Sequence, residues 1–299
     1  MTLALIVNPF AGGGRAGREL HTVQAALSRL GLDHHVETTR SLDHARELAL
    51  AAADAGEMAV AFGGDGLIGA VAEALCHRDG VLGALPGGRG NDLVRALGIP
   101  LQLTRACDVL ATGTVGRIDL GQVGARTFIG IASCGLDSIA NRIANETTLI
   151  RGNIVYAYAA LRAVAGWRAA SFTIRVDGGE TRVVSGFTVA AANSSYYGGG
   201  MRLAPHASLT DGKLDLVIIH RMPKLKFLAL LPTVFRGTHI RYPHVEVLRG
   251  ATIELASTQR FTLYADGDPI AQLPVTINVL PGAVQAMLPA PAGAAVAAA

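Results

Sequence analysis

The chain predicts an α/β fold in two parts. A doubly wound, mainly parallel-sheet domain comes first, and a mostly antiparallel, β-sandwich-like domain follows. Three observations predict it. The first third repeats a short strand-like run, a turn and a helix-period segment four times over, three of the turns rich in glycine, the signature of a parallel sheet covered on both faces. After about Gly116 the texture changes to β-rich runs separated by turn signals. With 50% apolar residues in 299, the chain has material for a sizeable core, and wholesale disorder is excluded.

Taken in order, Leu3–Val7 reads as a buried strand and Gly12, Gly13 and Gly14 as a turn. Leu20, Val23, Leu27 and Leu30 then recur at helical spacing. Residues 34–39 form the second strand, and Ser41 is placed to cap a helix carrying Leu42, Ala45, Leu48 and Ala52. Residues 58–62 are the third strand, followed by Gly63-Gly64-Asp65-Gly66 and an alanine-rich helix to Leu75. Residues 81–85 are the fourth, followed by Pro86-Gly87-Gly88-Arg89-Gly90 and a helix from Asn91. Further on, residues 117–123, 128–133, 172–176, 181–191, 214–219, 252–255 and 261–264 read as strands, with Asp177-Gly178-Gly179 as a hairpin turn. Helical insertions are expected at 150–167 and 224–235, with Trp167 in the core. The expected domains are 1–116 and 117–280, with 281–289 returning to the first and a flexible Pro/Ala/Gly tail at 290–299.

Composition narrows the partners. Lys and Arg exceed Asp and Glu by 26 to 23, and no dense basic block speaks for nucleic acid. Cys76, Cys107 and Cys134 are odd in number and widely spaced, as expected of a chain in a reducing compartment. The first strand meets Asn8-Pro9 too early for a signal peptide, and no apolar run reaches the ~20 residues of a membrane span. A cytoplasmic protein without a transmembrane segment is the expectation.

Gly12-Gly13-Gly14-Arg15-Ala16-Gly17 fits G-x-G-x-x-G after a strand, and Glu37 ends the next strand. On paper that is a dinucleotide fingerprint. It is weak alone, because a glycine-rich first turn suits any phosphate at a helix N-terminus. Its company is more telling. Glycine turns also end the third and fourth strands, and in open α/β sheets such turns converge on one ligand crevice. Bare backbone N–H groups there suit a polyphosphate, and Asp65 between glycines suits Mg²⁺ or proton transfer. There is no Gly-Lys-Ser/Thr, so the chain carries no P-loop.

At these residues the sequence resembles the diacylglycerol kinase catalytic family, in particular its bacterial soluble lipid kinases, relatives of sphingosine kinases. The matching pieces are Val7-Asn8-Pro9, Gly63-Gly64-Asp65-Gly66 and Leu85-Pro86-Gly87-Gly88-Arg89-Gly90-Asn91-Asp92. Gly135-Leu136-Asp137, Asn193 with Tyr197-Gly198-Gly199-Gly200, Asp211-Gly212-Lys213-Leu214-Asp215 and Tyr264-Ala265-Asp266-Gly267-Asp268 complete the series. The resemblance implies that the first domain binds ATP through Asn8, Thr39, Gly63, Gly64, Asp65, Gly66, Leu67, Gly88, Arg89, Asn91 and Asp92. It implies a structural Mg²⁺ on Asp211 with the carbonyls of Ser208 and Lys213. Asp65 would act on the catalytic Mg²⁺ or as base; Asp268 stands where bacterial members carry a glutamate, their proposed proton acceptor. Leu67 replaces the family's threonine, removing a hydroxyl, and Arg89 offers a charged donor in place of another.

The reading that follows is an ATP-dependent lipid kinase, with diacylglycerol the first-choice acceptor and phosphatidic acid the product. A sphingoid-base or other lipid kinase, or a catalytically silent nucleotide-responsive protein, is the alternative. Such a kinase meets its lipid at a membrane surface, so peripheral attachment at the inner face is expected. Lys213, Arg221, Lys224, Lys226, Arg236 and Arg241 face Asp215 as the one acid between them, and residues 225–231 are apolar almost all round. This segment suits either an anionic interface or a helix packed on the second sheet with snorkelling lysines. A homodimer is allowed by the sequence without being specified.

Overall fold

The computed structural model describes residues 1–136, 139, 143, 162–167 and 170–291. Most of the expected insertion at 150–167, Asp137, and most of the tail lie outside them. Two compact units divide the chain. The first comprises Met1–Leu120, Gly198–Gly200 and the chain from Pro281; the second comprises Gly121–Tyr197 and Met201–Leu280.

In the first unit, strands β1 (Leu3–Val7), β2 (His34–Thr38), β3 (Met58–Gly63) and β4 (Val81–Pro86) alternate with helices α1 (Ala11–Arg29), α2 (Leu42–Asp54) and α3 (Asp65–Ala74). Helices α4 (Asp92–Ala96) and α5 (Leu103–Thr112) follow β4. The strands pair in parallel in the order β2-β1-β3-β4. Both β1 and β3 are buried along their whole length, as sheet strands covered on two faces must be. Ser41 caps α2 as expected, its hydroxyl accepting the His44 N–H at 3.1 Å. α1 begins as expected, with the three glycines as a turn ahead of the regular helix. Gly12, Gly13 and Gly14 all take positive φ, so its first residues form a left-handed turn and regular helix starts after them.

The second unit is antiparallel. β9 (Arg182–Ala192) is its hub, paired on one edge with β8 (Ala170–Val176) and β7 (Ile131–Gly135), and on the other with β10 (Leu214–His220). β10 continues to β11 (Val245–Gly250), β8 to β12 (Thr252–Ser257), and β7 to the hairpin of β13 (Thr262–Ala265) and β14 (Asp268–Gln272). β5 (Thr114–Val123) pairs with β6 (Arg126–Phe128). β15 (Val275–Leu288) meets β12 in the second unit and runs parallel to β4 in the first. Trp167 stacks on Phe187 with centroids 6.1 Å apart, and Phe187 on Phe227 at 4.4 Å. This aromatic cluster closes the core under α6 (Lys224–Phe235). No helix among the described residues is long and apolar enough to cross a membrane.

One ion-pair cluster gives the second unit a pH dependence. Glu246 on β11 accepts both Arg182 nitrogens, at 2.8 and 3.1 Å, and pairs with His220 Nε2 at 2.9 Å. The hydrogen bonds from Arg182 hold its carboxyl below its ordinary value of 4.5, against a smaller opposing effect of burial. A depressed folded-state value means that the stabilisation is present above the unfolded value and is lost as pH falls through the folded one. The melting-temperature difference between wild type and Glu246→Gln is therefore expected to be full at neutral pH and to shrink below about pH 4. A difference that stays constant down to pH 3, in a thermal-melt series, would rule this out.

Candidate nucleotide site

The order β2-β1-β3-β4 has its switch point between β1 and β3, where connections leave in opposite directions and a crevice opens at the C-terminal strand ends. Three glycine-bearing turns occupy those ends, and their backbones touch. A Cβ on Gly12 would lie 2.6 Å from the Gly87 carbonyl oxygen, and one on Gly88 would lie 2.5 Å from Gly64 Cα. Gly87 N–H donates to the Gly63 carbonyl at 2.8 Å, and Asn8 N–H donates to the Phe62 carbonyl at 3.2 Å. The convergence expected from sequence is thus a contact surface of backbone on backbone. A methyl group at position 88 would press on the Gly64 backbone at 2.5 Å and on Asn91 Oδ1 at 3.1 Å, so Gly88→Ala is expected to part the second and third turns. The measurement is ATP-induced thermal stabilisation, which should fall severalfold while the ligand-free protein still melts cooperatively; an unchanged ATP shift would show that the turns need not touch.

Each turn is locked from within. Asn8 Oδ1 accepts the Phe10 N–H at 3.1 Å, and Thr39, buried at the end of β2, donates its hydroxyl to the Ser41 carbonyl at 2.7 Å. Asn91 sits in the left-handed region (φ 54°), where its amide oxygen accepts the Gly88 N–H at 2.8 Å and its Nδ2 donates to the Gly88 carbonyl at 3.1 Å. Asp65 Oδ1 accepts the Leu93 N–H at 2.9 Å, tying the start of α3 to the start of α4. Arg18 Nη1 donates to the Gly13 carbonyl at 3.3 Å, and the exposed Arg89 reaches within 3.9 Å of the Cβ position of Gly13. Two guanidinium groups therefore flank the first glycine turn.

The Leu67 side chain is buried, with Cδ2 2.7 Å from where a Cβ on Gly63 would be, and its N–H is donated to the Gly64 carbonyl at 3.0 Å.

Asp92 does more than brace its own loop. Its two oxygens accept the N–H groups of Gly199 and Gly200, both at 2.7 Å, within the first unit. Burial raises its pKa, with the nearby Asp65 charge adding to the rise and the two glycine N–H groups opposing it. Asp65 Oδ2 and Asp92 Oδ2 lie 3.2 and 3.4 Å from the Cβ position of Gly90. Two neighbouring carboxylates beside the glycine turns suit Mg²⁺, which takes one or two carboxylates and completes its shell with phosphate and water.

At the second expected metal position the Asp211 carboxylate has protein partners. Asp211 Oδ1 accepts the Lys213 N–H at 3.0 Å, and Oδ2 is paired with Arg249 Nη2. Arg249 Nε also stands 3.3 Å from Asp215 Oδ1. Ser208 turns its hydroxyl to Thr210 at 3.2 Å. The Arg249 guanidinium thus supplies positive charge beside Asp211 and Asp215.

In the second unit, Asp266 and Gly267 both take positive φ (52° and 97°), the two-residue turn that Asp-Gly favours, and Ala265 pairs with Asp268 across it. Asp268 stands exposed at the start of β14. Asp266 turns inward instead, accepting the N–H groups of Ile129, Gly130 and Ile131 at 3.1, 3.2 and 3.1 Å. Asn193 grips the same segment, donating Nδ2 to the Ile129 carbonyl at 2.8 Å and its N–H to the Gly130 carbonyl at 3.0 Å. Both motif residues hold a loop in place.

The family model described as diacylglycerol kinase catalytic domain matches residues 2–123. That described as YegS C-terminal NAD kinase beta sandwich-like domain matches residues 130–288. Among curated proteins, a diacylglycerol kinase of Mycobacterium tuberculosis is 33% identical over 95% of this chain and 94% of its own. One of Bacillus subtilis is 29% identical over 90% of each. A solved diacylglycerol kinase structure from Bacillus anthracis superposes with a TM-score of 0.75 at 20% identity, covering 97% of both chains. An NAD kinase of Archaeoglobus fulgidus, solved with ATP, reaches 0.51 at 16% identity over 96% of this chain and 93% of its own, a likeness of fold alone.

Proposed function

The chain belongs to the diacylglycerol kinase catalytic family, a family of lipid kinases, and from that premise we propose that it transfers the γ-phosphoryl group of ATP to the free hydroxyl of diacylglycerol. One observation carries the nucleotide half of this reading: the three glycine turns meet at the β1/β3 switch point with backbone against backbone. Phosphoryl transfer asks the protein mainly for positioning and for neutralising charge on the transferring group. The turns would cradle the triphosphate, with Arg89 and Arg18, the two guanidinium groups beside the first turn, toward its outer oxygens. Asp65, with Asp92 beside it, would hold Mg²⁺, whose chemistry there is to withdraw charge from the phosphate oxygens.

The acceptor half rests on the names of the relatives. Asp268, exposed and next to a rigid turn, would take the proton of the lipid hydroxyl as the new O–P bond forms and the β–γ bridge breaks. Asp65 suits that role less well, because one of its oxygens is committed to the Leu93 N–H. The test is transfer of γ-labelled phosphate from Mg-ATP into organic-extractable product, with diacylglycerol, monoacylglycerol, ceramide and sphingosine in mixed micelles. Label in diacylglycerol is expected to exceed that in the other lipids. Label confined to a sphingoid lipid would replace the acceptor. No label in any lipid would overturn the reading.

A further inference from the structure

Amphipathic surface helices turn their apolar stripe inward and their polar stripe outward. α6 does not. Phe227, Leu230 and Val234, spaced three and four residues apart, form its buried stripe. The opposite stripe, Leu225, Ala229, Pro232 and Arg236, is exposed, and its first three residues are apolar. Leu225 is 81% exposed and Phe235, at the end of the helix, 54%. Lys224 and Lys226 flank the stripe on either side by helical spacing, and Lys224 Nζ is anchored to the Ala165 carbonyl at 2.7 Å.

The charge around this face is of one sign. From residue 216 to 245 the chain carries Arg221, Lys224, Lys226, Arg236 and Arg241 without one Asp or Glu. All five are exposed, and so is Tyr242, an aromatic with a polar tip. Had lysines merely snorkelled from a packed helix, the outward stripe would be polar; here it is apolar between cations. We propose that the outward face of α6 seats this protein on an anionic bilayer, Leu225 and Phe235 entering the acyl boundary and the basic side chains meeting the headgroups. This rests on the lipid-kinase reading for its purpose, but its test does not need catalysis.

The experiment is co-sedimentation of the full chain, without nucleotide, with vesicles of phosphatidylcholine alone or with added phosphatidylglycerol. Binding is expected only with the anionic lipid, and added salt should weaken it. Leu225→Asp should lower the partition coefficient roughly tenfold or more, and Lys226→Glu by roughly fivefold or more. Val183→Asp, at a 72% exposed apolar residue of β9, should leave binding unchanged. All three variants should keep the wild-type melting temperature. Equal binding to neutral vesicles, no binding, or binding indifferent to Leu225→Asp would overturn the proposal, as would a Leu225→Asp effect confined to self-association. If the kinase is active, Leu225→Asp should lose rate on vesicle-embedded diacylglycerol and keep it on a monomeric short-chain one. Failure of the kinase reading alone would leave the sedimentation result standing.

Discussion

Asp266→Ala is expected to lower the stability of the second unit by about 3–5 kcal/mol, lowering its melting transition by roughly 10 °C. Its carboxylate is the acceptor for three successive buried backbone N–H groups. Removing it leaves donors that no nearby rearrangement can satisfy, because they sit where the β6–β7 connection turns into the sheet. The position is also left-handed, which alanine tolerates poorly. Asp266→Asn separates the two contributions. Asparagine accepts the left-handed turn and keeps one oxygen, so its loss should be well under half that of alanine. Urea unfolding followed by tryptophan fluorescence is a suitable readout, since Trp167 lies in this unit's aromatic cluster. Equal losses for the two variants would mean that the second oxygen and the charge of the carboxylate, not backbone strain, dominate.

This behaviour was only partly legible in the sequence. Asp-Gly between two β-rich runs announces a hairpin, and a turn aspartate is the bland reading for the whole Asp266-Gly267-Asp268 segment. Which of its two carboxylates turns inward depends on the β7–β13 pairing, and local sequence does not encode that pairing. The same limit recurs wherever a partner is distant. At Asp211 the distant partner is Arg249, which the pairing of β10 with β11 sets opposite Asp215 and so brings to the carboxylate. Asp92 reads as a loop brace, and its bonds to Gly199 and Gly200 span 107 and 108 residues.

Features governed by neighbours in the chain were legible in detail. Ser41 announces its helix because a cap needs only the three residues that follow it. The glycine turns announce their convergence because parallel strands put every βα turn at one edge. Leu67 marks the boundary between these cases. Read as a substitution in a motif, it removes a hydroxyl from a ligand site. Folded, it is the residue on which Gly63 rests, and no motif reports which way a side chain at a helix's first turn will point.

The two remaining carboxylates invite a second experiment with large effects, on turnover and not on stability. Asp65→Asn and Asp268→Asn are each expected to cut phosphoryl transfer by roughly two to four decades, for different reasons. Asparagine at 65 keeps an oxygen for the Leu93 N–H and removes a charge that presses on the buried Asp92, so the melting temperature should hold or rise slightly. What it loses is affinity for a cation. Its residual rate should therefore climb with added Mg²⁺ well beyond the concentration that saturates wild type. Asp268 has no such role in the proposal, so Asp268→Asn should saturate with Mg²⁺ as wild type does and remain slow throughout. If the rate of Asp268→Asn is unaffected, the proton goes elsewhere and Asp65 returns as the acceptor. If both variants respond to Mg²⁺ alike, the division of labour between the two carboxylates is wrong, because a residue that only accepts a proton has no means of changing the affinity for a cation.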